Sequence, residues 1–167
     1  YLQMLGKVKL VRCQKRPEWA HVRLYLTVEG MSTGIIPGDD SPFEIQANFM
    51  KHLILFRNGN GKVVTFTLQD GLSVAEFYKQ FMKSLEEIGS PTAINVRAQE
   101  FYDPVDFDKD TKHHHYDKEA VQLTFSLTRL YGDSCLVSGG KWMARRTISG
   151  RWISRESCIA VNRPRLA

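Results

Sequence analysis

The sequence predicts an α+β fold: an antiparallel β-meander of about five to six strands, packed by one strongly amphipathic helix and a second, C-terminal helix. Three observations carry this. Apolar and polar side chains alternate with a period of two over residues 20–29 and 43–49, as in strands with one buried face. Asn58-Gly59-Asn60-Gly61 joins two further strand-like runs as a hairpin turn, since Asn and Gly accept the positive φ such turns require. At Ser73 the period changes to 3.6. Consecutive strands on short turns imply antiparallel pairing, and one well-stocked helix face can cover one side of the sheet.

The elements follow in order. Residues 7–13 alternate imperfectly, with Val8 and Leu10 in one phase and Val11 and Cys13 in the other, as a bulged strand would. In 20–29, Val22, Leu24, Leu26 and Val28 oppose His21, Arg23, Tyr25 and Thr27. A link rich in breakers (Gly30, Gly34, Pro37, Gly38, Pro42) leads to Phe43, Ile45, Ala47 and Phe49, which alternate with Glu44, Gln46 and Asn48. Runs 52–57 and 62–68 flank the hairpin turn. Val74, Phe77, Tyr78, Phe81, Met82, Leu85 and Ile88 then form one helical stripe. Ser73 with Glu76 is a capping box at its start, and Gly89 followed by Pro91 is its stop. A short strand over 93–98, an acidic loop over 100–110 and a looser helix over 117–131 complete the order β-β-β-β-β-α-β-α.

With 167 residues, 43% hydrophobic and 25% charged, the composition is that of one globular domain and excludes a collagen, a disordered tail or a disulfide miniprotein. The longest clear apolar run, Leu53 to Phe56, is far short of a membrane span. Cys13, Cys135 and Cys158 have no bridge or ligand spacing and read as reduced thiols, so a soluble, cytoplasmic protein is expected. The formal charge of +5 is unevenly placed: residues 1–131 hold 16 basic and 16 acidic side chains, whereas 132–167 hold seven basic and two acidic ones. The expected organisation is therefore a neutral domain over 1–131 and a basic, poorly ordered extension over 132–167.

Leu5-Gly6-Lys7-Val8-Lys9-Leu10, the run from Trp19 to Thr33, Phe43-Glu44-Ile45, Val74-Ala75-Glu76-Phe77-Tyr78 and the run from Val105 to His113 occur in the order of an uncharacterised bacterial family. Over 1–131 the chain resembles that family, domain of unknown function 5996. The resemblance implies no reaction. It does imply an additional Trp-containing segment upstream of Tyr1 and an aromatic continuation after residue 131, which 132–167 does not match; the N-terminus reads as truncated and the tail as foreign to the fold.

Two clusters could carry chemistry. His21, Arg23 and Tyr25 share one strand face, with Glu44 on the polar face of the next strand; an imidazole, a fixed cation, a phenol and a carboxylate suit binding an anion or moving a proton. The span 103–117 groups Asp103, Asp106, Asp108, Asp110 and three histidines, the ligand types of divalent metals. A calcium-loop register on Asp106, Asp108 and Asp110 fails, because Thr111 stands where the turn requires Gly and Asp117 where Glu is usual. Phosphate loops, paired CxxC and HExxH motifs are absent from the sequence.

The leading expectation is a domain without a cofactor that binds a small polar or anionic ligand through His21, Arg23, Tyr25 and Glu44. A second is a metal-assisted hydrolase in which Asp108, Asp110 and His113 hold a divalent ion that activates water. Nucleic-acid binding by the basic tail comes third, because its charge lies outside the fold. No membrane partner is expected, and catalysis is left open.

Overall fold

The computed structural model describes residues 1–99, 102–137 and 147–148. Five strands follow one another as a meander: β1 (Leu24–Leu26), β2 (Gly30–Ser32), β3 (Phe43–Asn48), β4 (Leu53–Asn58) and β5 (Val63–Thr67). A two-residue β6 (Thr147–Ile148) pairs with the outer side of β1, giving the antiparallel order β5-β4-β3-β2-β1-β6. Antiparallel partners share a face, so register assigns every side chain. Leu26, Met31, Ala47, Ile54 and Phe66 form one row across five strands, while Tyr25, Ser32, Gln46, Leu55 and Thr65 form the adjacent row on the opposite face.

The first face meets helix α2 (Val74–Glu87), as its apolar stripe requires. Phe56 meets Phe81 edge-on at 5.3 Å, Phe66 meets Phe77 at 5.2 Å, and Phe77 stacks on Phe81 at 5.8 Å. Helix α3 (Lys118–Val137) starts where Asp117 accepts from Ala120 N–H at 3.0 Å, and sets Phe125 edge-on to Phe49 at 5.5 Å. None of the described helices is long and apolar enough to cross a membrane.

Four departures from the expected elements have physical causes. Residues 7–13 are not a bulged strand but part of helix α1 (Leu2–Arg12), which buries Met4, Leu5 and Val8. Its lysines are buried too: Lys7 Nζ reaches the Arg97 carbonyl at 2.6 Å, and Lys9 Nζ reaches those of Arg23 and Thr33 at 2.5 and 2.6 Å. With charged groups inside, the helix loses the two-sided contrast by which helices are recognised. The run 20–29 is also not one strand. A 3₁₀ turn, Pro17–Val22, precedes β1, and Thr27 pairs with Gly30 to close a hairpin, leaving Val28 at the tip. The second strand of that hairpin, β2, lies at the start of what reads as a link of breakers. Residues 93–98 form no strand but one isolated bridge, Arg97 to Asp106. The extension begins inside a helix, since α3 runs to Val137; 138–146 and 149–167, most of the basic tail, lie outside the described residues.

The start of α2 is closed from two directions. Ser73 accepts from Glu76 N–H at 3.2 Å, and Glu76 accepts from Ser73 N–H at 3.1 Å, completing the capping box. The two remaining first-turn amides reach the acidic loop: Val74 donates to the His113 carbonyl at 3.1 Å and Ala75 to that of Asp110 at 2.9 Å. Gly89 at φ 79° ends the helix as its position predicts. Ser73→Ala is expected to lower stability by about 1 kcal/mol. In urea denaturation this would shift the midpoint and leave the slope unchanged; an undiminished midpoint would show that the loop alone suffices.

Candidate functional site

Arg23, Tyr25 and Glu44 keep the polar side of the sheet, and each has a different partner. The Tyr25 ring lies under the Lys9 ammonium, 4.7 Å from its centroid to Nζ, and Glu44 accepts a hydrogen bond from the Ser32 hydroxyl. Arg23 turns instead to Glu18, with Nη2 3.9 Å from Oε2. His21 is not on a strand at all: it lies in the 3₁₀ turn ahead of β1 and is only 5% exposed.

That turn is made by backbone in an uncommon region. Pro17 starts it, and Glu18 and Trp19 both take left-handed φ values of 55° and 56°, which side chains bearing a Cβ disfavour. The result is a recess of about 180 Å³ lined by Lys15, Arg16, Glu18, Trp19 and His21. The Trp19 indole, half-exposed, lies nearly parallel to the His21 imidazole at 5.8 Å.

The hydrogen bonding of His21 fixes its polarity. Nδ1 accepts the Arg16 backbone N–H at 3.3 Å, so in the neutral ring the proton is on Nε2. Nε2 is buried and has no hydrogen-bond partner among the described residues. A buried donor without an acceptor costs about 1–3 kcal/mol. What Nε2 lacks is an acceptor, and two cationic side chains and the Glu18 carboxylate line the same recess. Nearby, burial pushes the Cys13 thiol up, with Lys9 and Arg16 opposing more weakly, which disfavours a thiolate nucleophile. Burial also lowers Lys9, whose ammonium is already held by two carbonyls.

The acidic loop brings two of its three expected ligands together. Asp110 is buried and its carboxylate holds His113 Nδ1 at 2.8 Å as well as the backbone N–H groups of Lys112 and His113. Asp108 is exposed and makes no hydrogen bond to either. Among the described residues, no three His, Cys, Asp or Glu side chains are grouped to hold a metal ion. Tyr116, at the end of the loop, is buried, which pushes its phenol up to about 12, and it bonds His52 Nδ1 at 3.1 Å as a neutral hydroxyl.

Lys15, Arg16, Glu18 and Trp19 were not among the expected site residues. The available signal was a Lys-Arg-Pro-Glu-Trp run, a charged, proline-broken stretch directly before a strand. Against known proteins, one family model matches residues 1–133, that of DUF5996, a family of unknown function. No curated protein and no solved structure matches the chain.

Proposed function

The chain belongs to this family, and because membership assigns no reaction, we propose from the recess itself that the protein binds a small anionic ligand beside β1, with His21 as its buried hydrogen-bond donor. The observation that supports it is the buried Nε2–H of His21, without a partner among the described residues, in a side chain that lines one recess with Lys15 and Arg16. An anion entering there would satisfy the donor with a charge-assisted bond and offset two like charges at once. Arg23, through its contact with Glu18, adjoins the same recess; Tyr25 and Glu44 serve the sheet rather than the ligand.

His21→Phe separates this reading from a structural one. Phenylalanine retains a flat ring against Trp19 and removes the orphan donor, so stability is expected to stay within about 1 kcal/mol of the parent. Binding of inorganic phosphate, followed as a rise in melting temperature, is expected to weaken by at least tenfold, the worth of a hydrogen bond to a charged group. A variant that loses stability yet shifts with phosphate as the parent does would make His21 a packing residue and end the proposal.

A further inference from the structure

Building on the anion-binding reading, we infer that the recess selects a phosphate monoester, and that Glu18 is a resident competitor which the phosphate displaces from Arg23. The argument begins with charge. Lys15, Arg16 and the Glu18 carboxylate line the cavity, and Arg23 is joined to it through Glu18, 3.9 Å away. Three cations against one anion leave an excess of two positive charges. A phosphate monoester carries about −1.5 to −2 at pH 7 and matches that excess; a carboxylate matches half of it.

Space points the same way. About 180 Å³ admits a phosphate group together with the first atoms of an ester beside the Trp19 indole. His21 Nε2–H adds a buried neutral donor without an acceptor among the described residues.

Glu18 gives the site its threshold. Its left-handed backbone, followed by a second left-handed residue, is a conformation held by its surroundings rather than by local preference. It brings a carboxylate to the wall of a cationic cavity. A monoanion that displaces Glu18 from Arg23 only replaces the attraction that is lost, whereas a dianion replaces it with surplus. Discrimination then comes from repulsion of the weaker ligand as much as attraction of the stronger.

The test uses the full chain and isothermal titration calorimetry with glycerol 3-phosphate, inorganic phosphate and acetate, on the parent, Glu18→Gln and Glu18→Ala. Glycerol 3-phosphate is expected to bind at least tenfold more tightly than acetate. Both variants should tighten phosphate binding by roughly threefold to tenfold, an advantage that shrinks as salt screens the removed charge. Parental phosphate binding that neither variant improves would overturn the competitor and leave anion binding intact. Acetate binding as tightly as glycerol 3-phosphate would overturn phosphate selection alone, and inorganic phosphate binding better than the ester would assign the site to the free ion. No anion binding by any of the three proteins would overturn the underlying reading and this inference with it.

Discussion

Gly30→Ala is expected to abolish the folded sheet. A Cβ at this position would lie 1.9 Å from the Ala47 carbonyl oxygen and 3.0 Å from its carbon, both backbone atoms of the partner strand. Side chains can rotate away from an intruder; a paired strand cannot. The contact could be relieved only by separating β2 from β3 at the Gly30–Asn48 pair, in the middle of the sheet order. With typical stabilities of about 5–15 kcal/mol, a loss above about 4 kcal/mol removes most of what is available. Far-ultraviolet circular dichroism and urea titration would read the loss directly. A variant within about 1 kcal/mol of the parent would mean that the two strands do not approach as described.

Lys9→Met is the second large effect. Methionine fills similar length and keeps helix propensity, so α1 itself should not suffer. What disappears is the ammonium that serves the Arg23 and Thr33 carbonyls and sits over Tyr25. Two carbonyls left without a donor, at about 1–3 kcal/mol for each that stays buried, give an expected loss of about 3 kcal/mol. The Arg23 carbonyl belongs to the residue between the 3₁₀ turn and β1. Destabilisation there should therefore weaken phosphate binding as well, which a titration of the still-folded fraction would measure. Unchanged stability would show that water replaces the ammonium at both carbonyls.

The legible parts of the fold were those whose signal is local. Ser73 with Glu76, the stripe from Val74 to Ile88, and the Asn-Gly turn each announce themselves within a few residues, and each is present in the structure. The α+β meander followed from them. Its strand count was met by compensation: the first expected strand is helix α1, and the stretch read as one strand and a link supplies β1 and β2. Lys7 and Lys9 hid the helix because their burial depends on carbonyls from distant segments, which no window of sequence contains. The same holds for the recess. His21 was singled out, but as a strand residue; its actual setting depends on positive φ at Glu18 and Trp19, two residue types that give no hint of it. Asp110 and His113, expected with Asp108 as metal ligands, are hydrogen-bonded to each other, while their carbonyls' service to α2 is a long-range matter.

That service has a kinetic side. Ser73 and Glu76 can close their half of the α2 start as soon as the helix is synthesised, but the donors of Val74 and Ala75 wait for Asp110 and His113, which leave the ribosome much later. The nascent helix is thus born with an unfinished end, which is closed by the same downstream loop that brings Phe107 and Tyr116 to the core.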